Sequence, residues 1–207
     1  MGLYSRHVLP RLIDLGCGQE PMAQVRAAYV CRARGRVLEI GFGTGHNLAH
    51  YATGDDAPES LFALEPATDI AQRANERIAS TSIAVEVSNA SAEDIPVEDD
   101  DFDTVVSTWT LCSVPNVYRA LAELRRVLKP TGRLIFAEHG ASPEPAIQRW
   151  QRRIEPLWKV IGGGCHLSRS ADTLIANAGF RIDELETGYL PGPKLATFTY
   201  RGVAAPR

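Results

Sequence analysis

Short β-prone runs recur along the chain, separated by stretches whose apolar residues fall at helical spacing. RVLEI (36–40), SLFALE (60–65), IAVEVS (83–88), FDTVVST (102–108) and RLIFAEHG (133–140) read as strands. Between them, residues 67–80 put Ile70, Ala71, Ala74 and Ile78 on one helical face. Residues 116–128 do the same with Val117, Leu121, Leu124 and Leu128, and Pro130 and Gly132 then turn the chain. After GFGTGHN, the apolar residues Leu48, Ala49, Tyr51 and Ala52 also suggest a helix. Strands alternating with helices of this length predict a doubly wound α/β fold, a mostly parallel sheet covered on both faces. A helix at 170–178 and strands at 180–187 and 196–203 follow. The link GYLPGPK between those strands is too short for a helical crossover, so they pair antiparallel and complete a seven-stranded sheet whose last strand is antiparallel.

Two stretches fall outside the alternation. Residues 1–33 read as helical with a turn at CGQEP, an N-terminal lid on the core. Residues 144–161 carry Ile147, Trp150, Ile154, Leu157, Trp158 and Ile161 on one stripe, which reads as core packing or as a lid over a site. Pro156 inside that stripe predicts a kink or a fresh helix start. The expected layout is one domain: lid 1–33, core 36–140, and substrate-side helices with a C-terminal hairpin in 141–207.

Composition narrows the function classes. The 207 residues carry 22 basic and 25 acidic side chains, net −3, which argues against a general nucleic-acid binder. The charge is uneven: net −7 over residues 1–100 and net +4 over 101–207. The basic half reads as solvated helix faces, or as a face for an anionic surface or substrate. Cys17, Cys31, Cys112 and Cys165 are scattered, without metal-ligand spacing, and no secretory leader or long apolar run is evident. The expectation is a cytoplasmic protein with reduced thiols, no metal and no integral membrane segment, a monomer or homodimer with at most peripheral membrane contact.

The chemistry concentrates in LEIGFGTGHN. Gly41, Gly43 and Gly45 permit a sharp turn and close approach of backbone to a ligand, and a helix after them would offer free N–H groups. The pattern is GxGxG rather than the dinucleotide GxGxxG. Glu65 ends the second strand, where a carboxylate can take both hydroxyls of a ribose. Glu39, just before the first glycine, suits a ligand with an ammonium group better than a pyrophosphate. Together they suggest adenosine joined to an amino acid. A second acid–x–Gly–x–Gly, IDLGCG (13–18), lacks the strand and the later acid, and reads as a turn between two N-terminal helices.

LEIGFGTG, LFALEP, SAEDIP, FDTVVST and LRRVLKPTGRLIFAEHG occur in the order found in class I S-adenosylmethionine-dependent methyltransferases, which the chain resembles over about residues 36–140. LCSVPN, EHG, GGCHLSR and AGF are similar to the methyltransferase-like seven group of alkyl thiol methyltransferases. The resemblance implies a Rossmann-like sheet with S-adenosyl-L-methionine as cofactor. It places Glu39 to Gly45 at the methionine part and Glu65 at the ribose, with Pro66 and Ala67 near the adenine edge. Ala92 would offer its backbone to adenine and Glu93 would flank the ring, and Ser91 stands where many relatives carry an Asp for the adenine amino group. Ser107 and Thr108 would close over the methionine end.

Methyl transfer from a sulfonium needs alignment and a nucleophilic acceptor more than an acid. Acceptor-side candidates lie at the carboxyl ends of the fourth and fifth strands: Trp109, Leu111, Cys112 and Ser113, then His139. His139 reads as a catalytic base or thiolate stabiliser, or as a buried histidine orienting its loop. Cys165 and His166 adjoin in a glycine-rich loop, a substrate-lining or structural pair more than a nucleophile and base. His46 and His50 sit four apart without a third ligand in view, and His7 could face the site from the lid. The expected activity is methylation of a small, partly apolar acceptor, an aliphatic thiol first. Alternatives are a phospholipid headgroup N-methyltransferase, a quinone-type C-methyltransferase and a non-catalytic cofactor-binding partner.

Overall fold

Strand β1 (Arg36–Ile40) is the hub of the structure, a computed structural model that describes Asp14 and residues 16–207. Its Leu38 and Ile40 enter one apolar cluster while Val37 enters the cluster on the opposite face, so the strand is buried on both sides. It lies between β2 (Ser60–Leu64) and β4 (Phe102–Thr108), parallel to both, with Ile40 opposite Leu64 and Ser107. β3 (Val85–Ser88) extends one edge and β5 (Leu128–His139) the other, also parallel. β7 (Phe198–Pro206) then runs antiparallel between β5 and β6 (Phe180–Tyr189), giving the order β3-β2-β1-β4-β5-β7-β6. The mostly parallel, seven-stranded α/β sheet expected from the alternation is therefore present.

The helices cover both faces. On one face, α4 (Val117–Val127) buries Val117, Leu121 and Leu124 against Phe102, Val105 and Phe136, and α6 (Ala171–Asn177) adds Ile175. The Asn116 side chain accepts the Arg119 N–H and caps α4. On the other face, α1 (Glu20–Tyr29) packs Met22, Val25 and Tyr29 against Val37, Val106 and Ile135. α2 (Thr68–Ala71) and α3 (Asn75–Ser80) form one run joined by a tighter turn that buries Ala74. α5 (Pro145–Ile161) follows β5, and the short α7 (Lys194–Thr197) leads into β7.

Three expectations are corrected. The segment after Gly45 is a five-residue 3-10 turn, His46–His50, instead of an α-helix. The chain must turn inward there so that Tyr51, nearly fully buried, can reach Glu39. α5 runs through Pro156 without restarting; the carbonyl deprived of a partner belongs to Arg152, an exposed residue where water can replace the lost donor. The apolar stripe of α5 is not core: Trp150, Leu157 and Ile161 are exposed, and only Ile154 and Trp158 pack inward, on Cys112, Cys165 and Leu167. The IDLGCG turn also has a use in the fold. Asp14 meets the Thr44 hydroxyl and the His46 ring, docking the N-terminal turn on the glycine loop. His7 lies outside the described residues.

Gly202 marks where β7 is gripped on both sides. A Cβ there would overlap the Glu184 carbonyl oxygen of β6 and press on the Phe136 ring at 3.0 Å. Gly202→Ala is therefore expected to lower the melting temperature, against the gain of about 0.4–1 kcal/mol typical of a compatible Gly→Ala change. An unchanged or raised melting temperature would show that β6 and β7 can part freely.

Candidate active site

The carboxyl ends of β1 and β4 meet where the strand order reverses, the crevice in which such sheets bind ligands. β1 runs into a turn in which Gly41, Gly43 and Gly45 all adopt left-handed backbone, with φ of 63°, 59° and 79°. A side chain at Gly41 would strike that of Thr110, whose hydroxyl donates to the Ile40 carbonyl, so the turn and the β4 end interlock. Above Gly43 there is room: a Cβ there would meet nothing nearer than the Gly41 oxygen at 3.8 Å. Glu65, at the end of β2, accepts the Gly43 N–H at 2.9 Å and the Ala67 N–H at 3.0 Å. Burial raises its pKa, and the two N–H bonds oppose that rise. Each oxygen keeps a lone pair for a hydroxyl.

Glu39 is turned inward. It is 1% exposed, accepting the Tyr51 hydroxyl at 2.6 Å and the Asn47 amide at 3.0 Å. Burial pushes its pKa up to about 7, against the pull of Tyr51, Asn47 and the nearby Arg26. The carboxylate is enclosed and ties the 46–51 turn to β1, so any role toward a ligand ammonium runs through water or backbone, as expected from the resemblance. Arg26, unforeseen from the sequence, closes this network from α1. It donates to Asn47 and to the Cys17 carbonyl and lies 4.7 Å over the Trp109 ring.

Ser107 is fully buried and donates to Glu138 at 2.6 Å, and Thr108 accepts from Asn47 beside the glycine turn. Pro66 and Ser91 are exposed, and Ala92 is buried. Ser91 and Glu93 form a local turn, the Ser91 hydroxyl accepting the Glu93 N–H. The Glu93 carboxylate takes the Asn116 N–H at the start of α4, tying its loop to that helix.

Glu138 organises the acceptor side. Its carboxylate is fully buried and accepts the Ser107 hydroxyl and the Thr110 and Cys112 N–H groups. Burial raises its pKa while these donors lower it. Arg169 holds the same loop from its carbonyl side, donating to Leu111, Val114 and Pro115. Between these anchors Trp109 sits at φ 51°, a conformation costly for a bulky residue, with its N–H on the Ala137 carbonyl at 2.7 Å. The Trp109 indole N–H is buried without a hydrogen-bond partner among the described residues.

His139, half-buried at the end of β5, stands edge-on to Trp109 at 6.0 Å between ring centroids. Its ring and the Cys112 and Cys165 sulfurs lie within 4.8 Å of one another, a convergence that the scattered spacing hid. The Cys112 thiol pulls the Cys165 pKa well below the usual thiol range, with help from His139 and the buried Trp158 N–H, while Cys112 itself is pushed far up. His166, next to Cys165 in the chain, brackets the Cys112 carbonyl, its backbone N–H donating at 2.8 Å and its Nδ1 at 3.1 Å. His46 pairs with Asp14, and among the described residues it joins no metal-ligand cluster with His50.

The sheet order and the glycine turn at its switch point define a class I methyltransferase architecture. Residues 38–136 match the methyltransferase domain family. Thiol S-methyltransferase TMT1B of Rattus norvegicus is 36% identical over 155 residues, 72% of this chain and 62% of the rat protein. The Homo sapiens TMT1B is 33% identical over 174 residues, 81% of this chain and 69% of its own. The chain belongs to the S-adenosylmethionine-dependent methyltransferases, in the family that includes these two proteins, and spans less than two thirds of the rat relative. The YcgJ protein of Bacillus subtilis superposes with a TM-score of 0.68 at 14% identity, over 90% of this chain and 98% of that one, a likeness of fold alone. The residues present fit the cofactor: a left-handed glycine turn open above Gly43, a carboxylate with spare lone pairs, and an orphaned buried N–H at Trp109.

Two outcomes are expected. Glu65→Ala should weaken binding of the demethylated cofactor by about 1–3 kcal/mol, read by calorimetry; unchanged affinity would remove Glu65 from the ribose. Glu39 has a folded pKa of about 7, above its ordinary 4.5. The folded state therefore holds the extra proton, and the Glu39 contribution to stability is fully present below pH 4.5 and is lost as pH rises through 7. The loss is on the order of 3 kcal/mol. Denaturant melts of Glu39→Gln should lack that decline, and an equal slope in both proteins would show that Glu39 does not titrate there.

Proposed function

We propose that the chain transfers a methyl group from S-adenosyl-L-methionine to a small, partly apolar thiol. The observation that carries this reading is His139, which stands at the end of β5 between the Trp109 ring and the Cys112–Cys165 pair. The names of the mammalian relatives support it. When bound, the cofactor supplies an electrophilic methyl group on a sulfonium. The Gly41–Gly45 turn and Glu65 would hold it, Arg26 and the Trp109 N–H would face its carboxylate, and Ser91 and Ala92 would meet the adenine edge.

What the chain must do for the acceptor is make it a nucleophile. A free thiol has a pKa near roughly 8.5, and the thiolate is the reactive form. His139, donating or protonated, stabilises that anion. Trp109 and Leu111 give it buried apolar neighbours, which suit an alkyl thiol and penalise a charged headgroup that must lose hydration. Nothing in the reaction needs an acid, because the leaving sulfur departs neutral.

The test is label transfer from S-adenosylmethionine to a panel of aliphatic thiols, amines, quinone precursors and phosphatidylethanolamine. Thiols should be methylated, and His139→Ala should lower turnover by about 10²–10⁴ with cofactor affinity kept. The rate of the variant should climb with pH towards the acceptor's own pKa. Full activity in His139→Ala would remove His139 from catalysis. Methylation of the lipid and of no thiol would overturn the acceptor.

A further inference from the structure

Cys112 lies on the loop after β4, His139 at the end of β5, and Cys165 beyond α5, yet their ligand atoms converge within 4.8 Å. Both cysteines are free and buried. Separate parts of the scaffold hold each one. Cys112 is fixed by its N–H on Glu138 and its carbonyl under His166, and Cys165 by its N–H on the Gly162 carbonyl. His139 is fixed by β5–β7 pairing opposite Thr199. Ligands fixed in this way need little ordering to take a metal. A void of about 10 Å³, roughly one water in size, adjoins Cys112 and His139.

Two thiolates and an imidazole are a zinc donor set, and a site with three protein ligands keeps its fourth position open. Among the described residues no fourth ligand atom joins the cluster.

We propose that Cys112, His139 and Cys165 hold a zinc ion whose open position takes the sulfur of the acceptor. Ion binding stands on the three ligands alone, and the use of the fourth position rests on the thiol reading above. A thiol entering there gives its proton to solvent as its sulfur joins the metal, so it is presented as a thiolate with its charge compensated. His139 then stabilises the acceptor through the ion.

The experiment measures zinc in the full chain purified under a phosphine reductant, and follows cobalt substitution by absorption. Wild type should carry one zinc per chain and show thiolate-to-cobalt charge transfer. Cys165→Ser should lose that band, and His139→Ala should bind zinc at least about tenfold more weakly, with circular dichroism confirming that both remain folded. An aliphatic thiol should shift the cobalt spectrum of wild type. A wild-type protein that takes up neither zinc nor cobalt, or a cobalt band that survives in Cys165→Ser, overturns the site. Should Cys165→Ser not fold, the cobalt titration of wild type decides alone. Thiol methylation by metal-free protein at the full rate would leave the acceptor reading standing and defeat the role given to the ion's open position. A metal-loaded protein whose spectrum ignores thiols, and which methylates another class, would keep the ion and defeat the acceptor reading.

Discussion

The buried carboxylate of Glu138 is the constraint on which the acceptor side depends. A carboxylate without water needs several donors, and here they come from the Ser107 hydroxyl and from successive N–H groups of the loop after β4. Satisfying it forces that loop to wrap back over the end of β5. The wrap drives Trp109 into left-handed backbone and places Cys112 against the neighbouring strand. Arg169 completes the clamp through the carbonyls that the wrap leaves facing the other way. A polar residue in a sheet interior is costly unless fully paired, and this pairing gives the loop one conformation.

A second buried acid, Glu39, does for the cofactor side what Glu138 does for the acceptor side. Tyr51 and Asn47 reach it from the 3-10 turn, and Arg26 reaches Asn47 from α1. The two networks touch through Thr108 and Trp109, so the glycine turn, the N-terminal helix and the acceptor loop share one hydrogen-bonded frame. Under the proposed reading, this shared frame holds cofactor and acceptor in one register, which suits a reaction whose main demand is alignment.

Much of the fold was legible because its signals are local. Strand–helix alternation, the glycine spacing and the short link between β6 and β7 each have a nearby physical cause, and the sheet follows from them. Partners were not legible. Periodicity says which face a residue takes, but not that Ser107 will meet Glu138 or that Glu39 will be enclosed by Tyr51. The α5 stripe shows the limit in reverse: helical spacing of Trp150, Leu157 and Ile161 was clear, yet nothing in the pattern revealed that the face remains uncovered. Cys112, His139 and Cys165 were each singled out as residues. Their convergence required the loop geometry, because metal-ligand spacing is readable only when ligands share a local element.

β7 follows β6 in the chain but lies between β6 and β5. During synthesis, β5 therefore waits with an open edge while α5, α6 and β6 are made, and a nascent chain in that state offers a strand template to any neighbour. β6 cannot serve as a stopgap without first being displaced. The strand that seals the edge also sets His139 opposite Thr199, so the backbone of His139 gains this partner only once β7 has been made.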